Sequence, residues 1–273
     1  MKRILVPTDF SEQAEYALQT AALIAKKHDA ELFLLHMLNL PVHLLTNDKS
    51  ELPEAIYFMK LAHKQFEDFM DKPYLEDINT HEIVEANETA LGIKEATEKH
   101  NIDLIVMGSS GASGISEIFV GSNTEKVVRY SEKPVLVVKN PMTDVSNIDD
   151  MVYACSFAEE LKESFKKAVT FAEDFNKTLH ILYVNTPNNF KTTHEIERRI
   201  KTFLKDTAPS KYTINIYNDE TVEEGILNFA NSIKADMLSI STHGRKGIAQ
   251  FFNGSISEDL VNHAIRPVIT FKV

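Results

Sequence analysis

The sequence predicts two doubly wound α/β sandwiches in tandem, each built on a parallel sheet. Three features point to that class: an internal repeat, a regular alternation of short strands with longer helices, and strands that are apolar along nearly their whole length. The repeat is read first, because it sets the number of domains. Ile4-Leu5-Val6-Pro7-Thr8-Asp9-Phe10, shifted by 147 residues, falls on Met151-Val152-Tyr153-Ala154-Cys155-Ser156-Phe157. The same shift carries Ala25 to Ala172, and Leu32–Met37 to Leu179–Val184. Gly111 and Gly121 match Gly244 and Gly254 at an offset of 133, so the second copy is 14 residues shorter in between. Both copies close alike, Lys133-Pro134-Val135-Leu136-Val137-Val138 against Arg266-Pro267-Val268-Ile269-Thr270-Phe271. Residues 1–142 and 143–273 are the expected domains, joined by a turn-prone linker from Lys139 to about Asn147 that contains Pro141 and Asp144.

Within the first copy, residues 3–8, 31–37, 80–85, 103–107 and 134–138 are short, apolar, β-branched runs expected as strands. Ser11 is an N-cap candidate with Glu12 in the first turn. Ala14, Ala17, Leu18, Ala21, Ala22 and Ala25 then fall on one helical face. Ile56, Met59, Phe66 and Phe69 mark a second helix, Ile93, Ala96 and His100 a third, and Val127 and Val128 a fourth after Gly121-Ser122. The second copy repeats the order, with a shorter second helix near Ile196, Ile200 and Leu204. Nearly all-apolar strands alternating with helices belong in a parallel sheet covered on both faces. Right-handed crossovers give a doubly wound sandwich whose ligands sit beyond the carboxyl ends of the strands.

Composition narrows the function classes. Apolar residues make up 43% and charged residues 25% of the 273, the balance of a chain that folds around a core. The longest apolar runs are strand-sized, which predicts no membrane span, and Met1–Pro7 lacks the apolar stretch of a secretory leader. Cys155 is the sole cysteine, so no intrachain disulfide forms and the cytoplasm is the expected compartment. A net charge of −11 disfavours broad contact with a nucleic-acid backbone. Backbone amides and helix N-termini still hold a small anion locally, whatever the total charge.

Chemistry concentrates at two strand ends in the first copy. Met107-Gly108-Ser109-Ser110-Gly111-Ala112-Ser113-Gly114 follows the fourth strand, and Gly121-Ser122-Asn123-Thr124 opens the last helix. The spacing is Gly-x2-Gly-x9-Gly-Ser. Glycines let amides approach an anion, and the first turn of a helix favours phosphate through its free N–H groups and dipole. Ser109, Ser122 and Thr124 add hydroxyls. Pro7-Thr8-Asp9-Phe10-Ser11 ends the first strand, which in a doubly wound sheet lies beside the fourth at the topological switch point. Asp9 suits a ribose hydroxyl or a divalent cation bridging phosphates; read alone, it equally caps the helix through Ser11. Met37 ends the second strand, where its backbone borders an adenine edge while its side chain packs in the core.

These three stretches, Pro-Thr-Asp-Phe-Ser, the glycine loop and the closing Lys-Pro-Val-Leu-Val-Val, resemble the universal stress protein family in order and distance. The resemblance covers the first copy and, more weakly, the second. It implies five parallel strands per domain in the order 3-2-1-4-5 (the adenine nucleotide alpha hydrolase-like arrangement), with the two domains packed as a pseudo-dimer through their last strands. The family divides into members that bind ATP or AMP and members that do not, and the glycine loop marks the binders. Carried over, Asp9 contacts ribose or a metal such as Mg²⁺, Thr8 lies near the phosphates, the backbone around Pro7 and Met37 borders the base, and Met107 belongs to the same nucleotide site. Gly108, Ser109, Gly111, Gly121, Ser122, Asn123 and Thr124 wrap ribose and phosphates. Ala86-Asn87 departs from the glycine usual at the third strand's end and narrows the base pocket.

Departures are greater in the second copy: Ser156 stands for Asp9, Cys155 for Thr8 and Ser241 for Gly108. Thr242-His243-Gly244-Arg245-Lys246-Gly247 and Gly254-Ser255 persist there, without the carboxylate. That copy is expected not to bind nucleotide. Other chemistries lack their motifs: no Gly-x4-Gly-Lys-Ser/Thr loop, zinc spacing or Gly-x-Ser-x-Gly is present. His36, His180 and His243 read as structural, and Cys155 as an inert thiol rather than a redox group. The expected function is a stress-response regulator that binds an adenine nucleotide in its first domain and signals to a protein partner, with homodimerisation left open. A scaffold that binds no nucleotide, and a slow ATPase, are the alternatives.

Overall fold

The computed structural model describes residues 1–38, 52–86, 89–109, 121–142, 149–242 and 265–273. The chain forms two compact units, the first chiefly Met1–Glu117 and the second chiefly Asp144–Val273. In the first, β1 (Arg3–Thr8), β2 (Glu31–Met37), β3 (Thr80–Glu85), β4 (Leu104–Gly108) and β5 (Val135–Val138) lie in the order β3-β2-β1-β4-β5. The β1–β2, β2–β3 and β1–β4 pairs are parallel. Ile4, Leu5, Leu32, Leu34, Leu35, Leu104 and Val106 are fully buried, as strands covered on both faces require. The doubly wound order 3-2-1-4-5 is therefore present.

Helices α1 (Glu12–His28), α2 (Leu52–Met70), α3 (Thr89–Lys99) and α4 (Ser122–Tyr130) alternate with these strands. Ser11 caps α1, its hydroxyl accepting from the Ala14 amide at 3.3 Å. All six residues of the expected apolar face of α1 are buried. On α2 the expectation holds in part. Phe66 and Phe69 are buried, but Ile56 and Met59 are exposed, because only the C-terminal half of the helix turns those positions to the core. His100 lies one residue past α3, and the fourth strand runs one residue further than expected, through Gly108.

In the second unit, β6 (Asp150–Ala154), β7 (Thr178–Asn185), β8 (Tyr212–Asn218), β9 (Met237–Thr242) and β10 (Val268–Lys272) take the matching order β8-β7-β6-β9-β10. All four pairs are parallel. Helices α5 (Lys162–Asp174), α6 (Thr193–Leu204) and α7 (Val222–Ser232) alternate with them. Tyr153, Phe165, Phe157 and Phe203 form its aromatic centre through ring contacts at 5.2–5.5 Å. Thr221 caps α7 through its side chain. Its hydroxyl accepts from the Glu224 amide at 3.1 Å and donates to that residue's carboxylate at 3.0 Å.

Candidate functional site

Three strand ends of the first unit meet at one edge of the sheet. Thr8 pairs with His36, and continuing the Ile4–Leu104 and Leu5–Ile105 register sets Thr8 level with Gly108. β1 lies between β2 and β4, so the chain reverses its winding here, where a doubly wound sheet opens a crevice.

The turn after β1 is built by Phe10, a non-glycine residue at φ 62°. That left-handed conformation costs about 1–2 kcal/mol, and the ring offsets it by packing on His36, Phe66 and Phe69 at 4.5, 5.0 and 5.5 Å. The buried Thr8 hydroxyl accepts from the Phe10 amide at 2.9 Å. Because the Thr8 carbonyl only accepts, His36 donates to it through Nδ1 at 2.9 Å. Asp9 is exposed, and its carboxylate accepts from the Ser11 amide at 3.2 Å and the Ser11 hydroxyl at 2.6 Å. Asp9 thus orders the cap of α1, as its capping reading expects, and its side chain is exposed at the tip of β1.

Gly108 has a role the motif reading missed. A Cβ there would lie 2.7 Å from the Gln13 carbonyl oxygen and 2.9 Å from its carbon, so the glycine lets the first turn of α1 approach the tip of β4. The loop's ends are tied to each other. The Thr124 hydroxyl, buried, donates to the Gly108 carbonyl at 2.9 Å. The Gly121 amide donates to the Ser109 carbonyl at 2.7 Å, and the Ser109 amide to Val138 at 3.0 Å. Ser122 and Asn123 are exposed. The first helical bond of α4 runs from the Glu125 amide to Gly121 at 3.1 Å. The amides of Ser122, Asn123 and Thr124 therefore precede the intrahelical ladder, as at every helix start. Met37 and Met107 are buried and Pro7 half-buried. Gly111, Gly114 and Asn87 lie outside the described residues, as do His243–Lys246 and Gly254.

The second unit repeats the turn with different atoms. Phe157 takes φ 59° and packs on Tyr183 and Phe203. Cys155, in the place of Thr8, accepts from the Phe157 amide through Sγ at 3.2 Å. Burial pushes its thiol up to about 12, so it is protonated and unreactive at neutral pH. Ser241 stands where Gly108 does, and its hydroxyl joins those of Tyr153 at 2.5 Å and Ser164 at 2.7 Å, the last donating to Leu161 at 2.9 Å. A single helical turn of 3₁₀ form, Glu159–Leu161, precedes α5 in place of the regular first turn of α1. Asn185, at the end of β7, holds the following loop by accepting from the Lys191 amide at 2.9 Å, and donates to Asn218 at 3.1 Å. No group of three or more His, Cys, Asp or Glu side chains among the described residues could hold a metal ion. A cation at Asp9 would take the rest of its shell from phosphate oxygens and water, as Mg²⁺ commonly does.

Sheet order and winding reversal define a doubly wound α/β domain, present twice, whose first copy carries a strand-tip carboxylate that the second lacks. The universal stress protein family model matches residues 1–139 and again 147–272, and the chain belongs to that family. A universal stress protein of Methanocaldococcus jannaschii, MJ0531, is 36% identical over 148 residues, covering 51% of this chain and 83% of that protein. A second from the same organism, MJ0577, is 32% identical over 162 residues, covering 50% and 94%. The crystal structure of a universal stress protein from Archaeoglobus fulgidus matches 99% of this chain and 98% of its own, at a TM-score of 0.74 and 22% identity, which shows the fold alone. No described helix is long and apolar enough to cross a membrane.

Proposed function

We propose that the first domain binds one adenine nucleotide, ATP or AMP, at the β1–β4 switch point, and that the protein acts as a nucleotide-responsive regulator in stress survival. The observation that carries this reading is that exposed Asp9 follows β1, whose neighbour β4 ends at Gly108, the residue to which the helix start at Ser122, Asn123 and Thr124 is tied by the Thr124 hydroxyl. A carboxylate suits the ribose hydroxyls or a phosphate-bridging Mg²⁺, and the orphan amides suit the phosphates. Pro7, Met37 and Met107 border the base, and Thr8, Gly108, Ser109 and Gly121 shape the wall between. Occupancy regulates a partner only by binding one state of the protein better than another.

The scaffold reading draws on a specific observation: Gly108, Gly121 and Thr124 each have an internal role that needs no ligand. The two readings separate cheaply. Mass spectrometry of small molecules released from the purified protein is expected to find an adenine nucleotide. Titration is expected to show binding weakened about tenfold or more by Asp9→Ala and by Asn123→Glu, which sets a carboxylate where phosphate would lie. Absence of binding leaves the scaffold, and binding indifferent to both substitutions overturns the site assignment.

A further inference from the structure

We propose that β8 is a self-pairing edge through which two copies of this chain form an antiparallel, two-fold symmetric sheet. β8 ends its sheet, with β7 on one side and no strand on the other among the described residues. Its seven residues, Tyr212-Thr213-Ile214-Asn215-Ile216-Tyr217-Asn218, include neither charge nor proline. Natural edge strands avoid such a run of β-formers with bare N–H and C=O groups by carrying charge, proline or a bulge. The matching edge of the first unit does so. On β3, Glu82 is hydrogen-bonded with His63, Glu85 is ion-paired with Lys99 at 3.4 Å, and His81 is hydrogen-bonded with Glu31 at 3.1 Å.

On β8 the apolar side chains stay open instead. Tyr212 and Ile214 are 40% and 46% exposed, and with Ile200, Leu204 and Ala208 they line a groove of about 300 Å³ beside α6. A second copy fits this edge because the strand is self-complementary about Asn215. The antiparallel register sets Ile214 against Ile216 of the second copy, Tyr212 against Asn218, and Thr213 against Tyr217. Groove charge is self-complementary too. Glu197 lines one end and Lys201 and Lys205 the other. A two-fold axis runs α6 antiparallel to its copy, so Glu197 of one chain approaches the two lysines of the other.

Sedimentation equilibrium of the full chain is expected to show a monomer–dimer equilibrium at micromolar concentrations. Ile214→Lys, at an exposed position, should raise the dissociation constant about tenfold or more while leaving the unfolding midpoint in place. Asn215→Cys should give an intermolecular disulfide on mild oxidation. Directly opposed antiparallel residues have Cα atoms about 4.5–5.5 Å apart, within the reach of a disulfide. The unsubstituted chain, whose sole thiol is buried, serves as the blank. A chain that stays monomeric overturns the proposal, as does a dimer that survives Ile214→Lys or fails to cross-link in the Asn215→Cys variant. None of these outcomes depends on nucleotide.

Discussion

Phe10 and Phe157 hold the same left-handed conformation at the same point of the two units, φ 62° and 59°. A side chain there is tolerated because its ring packs against an aromatic neighbour near the end of the next strand. Truncation separates the two terms. Phe10→Gly loses the ring but keeps the backbone comfortable, so it should be more stable than Phe10→Ala by about 1 kcal/mol in urea unfolding. Equal stabilities would deny the strain. Gly108→Ala presses a methyl onto the Gln13 carbonyl, and a loss of about 1–3 kcal/mol is expected by the same measurement. His100 adds a pH dependence. Burial holds its imidazole below the usual histidine range, with Lys99, His81 and Arg3 acting the same way and Glu85 opposing, and its Nε2 is buried without a hydrogen-bond partner among the described residues. The unfolded chain then binds the proton more readily than the folded one. Stability is full above the ordinary histidine pKa and declines as pH falls through that range, with a smaller decline in His100→Gln.

Among the elements, α1 and α4 flank the proposed site, and the start of each is tied down by a side chain. Removing the cap in Ser11→Ala should cost about 1 kcal/mol and also release the Asp9 carboxylate from its hydroxyl partner. Thr124→Val removes the buried bond to the Gly108 carbonyl and should cost about 1–3 kcal/mol. It thereby loosens α4 against β4 without touching Asp9. If nucleotide affinity falls in Thr124→Val and in Ser11→Ala, both helix starts matter to the site. A fall in neither would confine their roles to stability.

For the molecule as a whole, duplication followed by divergence predicts unequal halves. One adenine nucleotide per chain is the expected stoichiometry by equilibrium dialysis. The second unit lacks the strand-tip carboxylate and replaces the close approach at Gly108 with the Tyr153–Ser241–Ser164 hydroxyl chain. Two per chain would show that neither change matters. The substitutions behind that chain were visible in the aligned copies. Val6, Ala17 and Gly108 correspond to Tyr153, Ser164 and Ser241, three changes to hydroxyls in one half. Their spacing in sequence gave no reason to join them, and only the packing of α5 on β6 and β9 brought them within bonding distance.

Much of the fold was legible because its signals are local. The spans of β1, β2 and β3, the cap at Ser11 and the buried face of α1 follow from periodicity and from which side chains can satisfy a helix start. The repeat, read from residue identities alone, gave two domains of the same order. What the tertiary structure decided depends on neighbours remote in sequence. Gly108 is a glycine because Gln13 packs on it, Phe10 bears a strained angle because Phe66 and Phe69 receive its ring, and Ile56 and Met59 are exposed despite their helical spacing. A pattern records what each residue prefers. It cannot record which distant surface will arrive to claim it.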